Sequence, residues 1–134
     1  MGHRGNLAAE FRSEGRVEFA FLVEEAGFSG PYETANGLLF RRDRLIVEVW
    51  YLDGHEPGVS TLVAQVVDGR RSRGAWLDDL YVAGGRGPAQ DVPFSAQSRR
   101  AALKRVRQHA AALYRLLPQL LGDEGELLLA RCRG

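Results

Sequence analysis

The chain is 134 residues long, 45% hydrophobic and 26% charged, with a net charge of +1. That length suits one domain able to bury roughly two-thirds of its unfolded surface, and near-neutrality excludes a global field that selects a polyanion. No apolar run approaches the roughly 20 residues of a membrane span, and the first six residues lack the apolar core of a signal peptide.

The single cysteine, Cys132, excludes an internal disulfide and a cysteine-rich zinc module. The expected compartment is the cytoplasm, with no cofactor, no metal and no membrane partner. The bases comprise 17 arginines and one lysine, Lys104. Residues 1–59 carry ten acids against six bases, and residues 60–134 carry seven against twelve.

Asn6 is the expected N-cap of a first helix, its side chain accepting from the free N–H groups of the next turn. Ala8, Phe11, Gly15, Phe19, Leu22, Val23 and Ala26 fall on one helical stripe. Gly15 weakens that helix by about 1 kcal/mol relative to alanine, which leaves Ser13 as an alternative start. Gly27 suits a left-handed stop, with Phe28 packing back on Val23.

Ser29 to Tyr32 and Ala35-Asn36 read as loop. Three strands follow, at 37–41, 44–52 and 59–67, joined by a tight turn at Arg42-Asp43 and a longer connection through Asp53-Gly54-His55-Glu56-Pro57-Gly58. Alternation places Leu45, Val47, Val49 and Tyr51 on a core face with Leu38, Phe40, Leu62, Ala64 and Val66. The opposite face then carries Leu39, Ile46, Glu48, Trp50, Leu52, Thr61, Val63 and Gln65. That face is too apolar for a solvated surface and too polar for an interior.

Residues 68–74 read as an arginine-bearing loop. The i, i+3, i+4 spacing of Leu77, Leu80 and Tyr81 predicts a short helix over 75–82 instead of a fourth strand. Residues 84–93 read as loop. Phe94-Ser95 supplies an apolar lead-in and an N-cap to a long amphipathic helix with the seam Leu103, Val106, Ala110, Leu113 and Leu117. Pro118 is expected to end or kink it, and Gly122 to stop it. Asp123-Glu124-Gly125-Glu126 opens a short terminal helix.

The fold these elements define is α+β: an antiparallel three- or four-stranded meander with an N-terminal helix and a long C-terminal helix packed on one face.

Three groups of residues invite a chemical reading. Asp53, His55 and Glu56 gather two carboxylates and an imidazole, as a metal-assisted or acid–base hydrolase requires, but a polar turn needs the same residues. Arg70, Arg71 and Arg73, with Arg86 from a second glycine-rich loop, form a candidate anion clamp for phosphate or nucleic acid, although no phosphate-loop pattern is present. Arg99, Arg100, Lys104, Arg105, Arg107 and Arg115 read as the solvated side of the long helix. The pairs Glu24-Glu25 and Asp78-Asp79 point about 100° apart on a helix and make no dyad.

Two apolar features fit no core: Trp50 on the mixed sheet face, and Val17 with Phe21 opposite the first helix's stripe. Exposed aromatics of this kind anchor protein interfaces.

The segment Phe19 to Phe28 leading into a hairpin, and Leu120-Leu121-Gly122-Asp123 closing the long helix, resemble small single-domain bacterial proteins of a kind that includes immunity proteins of contact-dependent or polymorphic toxin systems. The resemblance implies a non-enzymatic, partner-binding role and transfers no functional residue. The leading expectation is therefore a protein-interaction module, immunity-like or homodimeric, using Trp50, Glu48, Thr61 and Gln65 or the Val17/Phe21 patch. Phosphate or nucleic-acid binding by the arginines is the alternative.

Overall fold

The computed structural model describes residues 3–132, with side chains from residue 7 onward. Helix α1 (His3–Glu18) breaks at Phe19 and resumes as α2 (Ala20–Glu24). The antiparallel sheet follows, with β1 (Ser29–Glu33), β2 (Gly37–Arg42), β3 (Leu45–Leu52), β4 (Gly58–Val67), β5 (Arg70–Arg71) and β6 (Ala75–Trp76). Then come α3 (Leu77–Ala83), a 3₁₀ turn (Ala89–Asp91), α4 (Arg99–Leu121) and α5 (Gly125–Cys132).

The sheet runs β1-β2-β3-β4-β5, and β6 pairs with β4 beside β5. The fold is α+β as expected, with two more sheet elements than the predicted maximum of four. Ser29 to Glu33 is an edge strand on β2, not loop, and its register shifts between Ser29 and Tyr32. On the far edge, Asp68 and Gly69 both take positive φ (52° and 75°), the geometry of a tight hairpin turn. Arg70 and Arg71 consequently pair with Val67 and Val66. Ser72 stays on β4, its backbone N–H and hydroxyl both bonding the Gln65 backbone; the register then slips by one residue, and Ala75 and Trp76 rejoin β4 opposite Val63 and Leu62.

The helix layer covers one side. Phe11, Phe19 and Leu22 from α1 and α2 meet Leu38, Phe40, Val47, Val49, Val59 and Val63 from the sheet, and Val106, Leu113 and Leu116 from α4. Polar contacts stitch α1 to α4 at the surface. The Arg99 Nε donates to the Glu10 carboxylate at 2.6 Å and Arg107 to Glu14 at 3.2 Å. The charge asymmetry between the chain's halves is thus partly matched within the molecule, although such exposed pairs each contribute little.

Several local expectations are corrected. Helix α1 begins before Asn6 and runs through Gly15, so neither Asn6 nor Ser13 is its cap. Gly27 is left-handed (φ 79°) as expected, and the Phe28 N–H returns to the Leu22 carbonyl at 2.8 Å. Phe28 enters the core while Val23 stays exposed. The tight turn is Asp43-Arg44, one residue later than predicted, because Arg42 pairs with Leu45.

Ser98, not Ser95, caps α4 by accepting from Ala101 N–H at 3.1 Å. Phe94 to Ala96 instead extends the sheet: Val59 N–H donates to the Phe94 carbonyl and Ala96 N–H to the Pro57 carbonyl. Helix α4 continues past Pro118 and stops at Gly122 as expected. Residues 77–83 form the predicted short helix, preceded by the two residues of β6.

The correction with the greatest consequence is the register of β4. Leu52 pairs with Gly58, so five residues connect β3 to β4, and Val47 faces Val63 while Val49 faces Thr61. The predicted strand start at Val59 implies one residue more. A one-residue slip turns every side chain over. Val59, Thr61, Val63 and Gln65 therefore lie on the helix side, and Ser60, Leu62, Ala64 and Val66 on the outer side.

Gly37 packs so closely that a Cβ built there stands 1.9 Å from the Val49 carbonyl oxygen. That oxygen belongs to the neighbouring strand and has no room to retreat. Gly37→Ala is expected to lose about 2 kcal/mol or more, in the range of overpacked cores, read as a lower urea midpoint with unchanged slope.

Candidate protein-interaction face

The outer side of the sheet carries no helix among the described residues. Register alone assembles one row straight across it: Tyr32, Leu39, Glu48, Leu62 and Trp76. The next row places Trp50 beside Ser60, and the row on the other side places Arg41, Ile46 and Ala64 together. Tyr32 is 52% exposed and Trp76 42%, and Leu39, Trp50, Leu52, Leu62 and Val66 are half-buried. Aromatic side chains of this size normally find cover. Here they remain at the surface.

At the centre lies Glu48, only 5% exposed. The Trp50 indole N–H donates to its Oε2 at 2.8 Å, and the Arg71 guanidinium pairs with its other oxygen. Arg71 sits opposite Val66, two rows from Glu48. Its stem consequently spans the Ala64–Ile46 row, consistent with the burial of both residues. The Trp50 and Trp76 rings meet edge to face, with centroids 5.7 Å apart and planes at 76°, a favoured aromatic geometry. A buried, neutralised carboxylate beside two tryptophans in mutual contact is an anchor of the kind that dominates interface energetics.

Of the residues expected on this face, Glu48 and Trp50 are present, while Thr61 and Gln65 are not. Thr61 is buried beneath α4, where its hydroxyl meets His109 Nδ1 at 2.9 Å. Gln65 faces Leu45 on the helix side. The second expected patch is also reduced. Val17 stays 68% exposed, but Phe21 packs edge to face on Tyr114 of α4 and stacks on Phe19.

Two of the four clamp arginines are engaged within the molecule. Arg71 is held by Glu48, and Arg86 donates to the Gln119 side chain on α4 at 2.6 Å. Arg86 lies in the 84–93 loop, which is anchored. Tyr81 donates to Asp91 at 3.0 Å, and Arg115 donates to the Tyr81 oxygen at 2.7 Å.

Asp53, His55 and Glu56 occupy an exposed connection, and no group of three or more His, Cys, Asp or Glu side chains among the described residues is arranged to hold a metal ion. No described helix is long and apolar enough to cross a membrane.

His109 is the polar core residue that the sequence reading passed over. Its Nε2 lies 2.7 Å from the Pro93 carbonyl, which can only accept, so Nε2 carries the proton and Nδ1 accepts from Thr61. Burial pushes its pKa down to about 4, outweighing the Pro93 hydrogen bond, which raises it. With both nitrogens engaged it is a strut between α4, β4 and the Pro93 turn. It borders a cleft of about 170 Å³ shared with Ser60, Trp76, Asp78 and Phe94.

Trp76 is the main contributor to the outer face that sequence reading missed. The available signal was Asp68-Gly69, a hairpin dipeptide whose second strand would carry a tryptophan toward β4. Comparisons with protein-family models, curated proteins and solved structures find no match to this chain.

Proposed function

We propose that this chain is a non-enzymatic protein-interaction module that docks a partner on the outer face of its sheet. The observation that carries this reading is the Trp50–Trp76 pair beside the buried Glu48, which Arg71 neutralises, on a sheet face without a covering layer among the described residues. Binding there would occlude the partner sterically, with the tryptophans as anchors and the flanking arginines steering encounter. An immunity-like inhibitor acting in the cytoplasm is the form of this reading that accords with the bacterial resemblance.

The test is capture from lysate by wild type and by Trp76→Ala, with folding checked by circular dichroism. Trp76 is exposed enough to be removed without opening the core. A specific protein retained by wild type and lost by the variant is expected. Equal retention by both baits would count against the face.

A second reading has one specific observation behind it. Arg41, Arg71 and Arg73 border the same face as Tyr32, Trp50 and Trp76, an association of cations and aromatic rings that suits single-stranded nucleic acid. Phosphate contacts make such binding fall steeply with salt. Fluorescence titration of a labelled oligothymidine at 50 and 200 mM salt separates the two readings.

A further inference from the structure

We infer that the occupant of the outer face is a second copy of this chain, related by a two-fold axis that runs parallel to the sheet, midway between the two copies, and perpendicular to the strands. This rests on the interaction reading above and adds the partner and its orientation.

An isologous interface must complement itself. The outer face does so along the strands. Its free cations lie toward the end carrying the Asp43 and Asp68 turns: Arg41 shares a row with Ile46 and Ala64, and Arg73 follows between Ser72 and Ala75. Arg42, Arg44 and Arg70 outnumber the two turn carboxylates there, so that end is net basic. The other end is acidic. Asp78 borders the cleft beside Ser60 and Trp76, and Glu56 lies in the connection just beyond Leu52. The acid at the centre, Glu48, is already neutralised by Arg71.

An axis perpendicular to the strands, above the Glu48–Leu62 row, reverses strand direction while keeping each strand over its own counterpart. It sets Trp76 against the partner's Trp76 and lays the Arg73 level over the partner's Asp78, with the reciprocal contact formed at the same time. An axis parallel to the strands would instead bring Arg73 over the β1 edge at Ser29, where no carboxylate waits. Charge therefore selects the first arrangement, a two-sheet sandwich with layers about 10 Å apart and strands crossing at about 30°.

The edges favour the face as the route of association. The register shifts near Gly30 and after Ser72 interrupt both outer strands, a device that discourages strand addition.

Size sets the strength. Five strand positions span roughly 20 Å and β3 roughly 23 Å along its length. That footprint, of the order of 450 Å² before side-chain relief, falls below the roughly 800 Å² per partner of a standard interface. The dimer is therefore expected to be weak, and the concentrations that test it extend well above the micromolar.

The experiment is sedimentation equilibrium from 5 to about 500 μM on wild type, Arg73→Glu and Asp78→Lys, each confirmed as folded, and on a 1:1 mixture of the two variants. Wild type should pass from monomer to dimer across that range. Each variant alone should associate at least tenfold more weakly. The mixture should recover dimer. One of its two reciprocal contacts keeps the native Arg73–Asp78 pair, and the other sets the introduced carboxylate of one variant against the introduced ammonium of the other.

A wild type monomeric throughout overturns the inference, as does a dimer indifferent to both reversals or a mixture no better than its components. The lysate comparison with Trp76→Ala then decides separately whether the face still serves another protein.

Discussion

Acidification from pH 7 to pH 4 should remove about 3 kcal/mol of folding stability through His109 alone. The sign follows from where the proton goes. In the unfolded chain the imidazole titrates at its ordinary value of 6.5, whereas in the fold burial lowers it to about 4. Between those values the unfolded state takes up a proton that the native state refuses. The stabilisation is fully present above pH 6.5 and is lost as pH falls toward 4. The full difference between 6.5 and about 4 is worth about 3.5 kcal/mol; because the native ring is itself half-protonated at pH 4 and the unfolded ring slightly protonated at pH 7, about 3 kcal/mol of it is lost between those pH values.

Native geometry supports the refusal. The Nε2 proton is committed to the Pro93 carbonyl, and Nδ1 accepts from Thr61, so a second ring proton would point at a hydroxyl that must first reverse. Carboxylates also titrate near the lower end of this window, so the decisive quantity is the difference from His109→Gln in urea melts at pH 7, 6, 5 and 4.5. A wild-type slope no steeper than the variant's would sink the assignment. Thr61→Val should cost roughly 1–3 kcal/mol at pH 7, the penalty of leaving a buried acceptor unpaired.

The second large effect is expected at Arg71. Arg71→Ala removes the cation from a carboxylate that is almost fully covered in the native fold, with Trp50 on its other oxygen. Breaking a fully buried pair costs roughly 3–5 kcal/mol. With the arginine partly exposed, about 2 kcal/mol is expected in chemical denaturation at low micromolar concentration, where self-association contributes little.

The double variant Glu48→Leu/Arg71→Leu should recover most of that loss, because no uncompensated charge is left behind and the Ala64–Ile46 row stays covered. The two changes should therefore couple by more than about 1 kcal/mol in a double-mutant cycle. An Arg71→Ala protein within about 0.5 kcal/mol of wild type would mean that water already serves Glu48, and the anchor would disappear with it.

The parts of this molecule that local patterning specifies were legible before the structure. The stop at Gly27, the short helix after Trp76 and the end of α4 at Gly122 follow from backbone chemistry within a few residues. The candidate face was legible only in part, because it depends on pairings between strands. Glu48 and Trp50 belong to one strand, and their shared side follows from alternation alone. Thr61 belongs to the next strand, and its side depends on whether five or six residues make the connection.

Gly58 decides that question by starting β4 one residue early. A Cβ there would strike the Phe94 ring at 2.5 Å, so its place in the strand depends on a segment almost forty residues later. Trp76 was hidden for a similar reason. Its position follows from a hairpin turn and a bulge, and composition alone made that segment resemble a loop. Pro118 failed as a helix breaker for a simpler reason: α4 is held on both sides of it by buried Leu116, Leu117 and Leu120, and packing of an amphipathic face outweighs a local penalty.

The adjacency of α1 and α4 bears on the order of assembly during synthesis. The meander from β1 to β4 closes through turns of a few residues, so its contacts are local and quick to form. The groove between α1 and the sheet is different: it needs Val106, Leu113 and Leu116, which leave the ribosome about a hundred residues after Phe11. Until then the nascent chain holds a finished sheet with Phe11, Phe19 and Leu22 uncovered on its inner side. Ribosome-stalled chains of residues 1–98, carried clear of the exit tunnel on a flexible linker, should accordingly bind a hydrophobic dye or a holdase chaperone, and chains that also release α4 should not. Equal binding at both lengths would show that the amino-terminal half finds other cover while it waits.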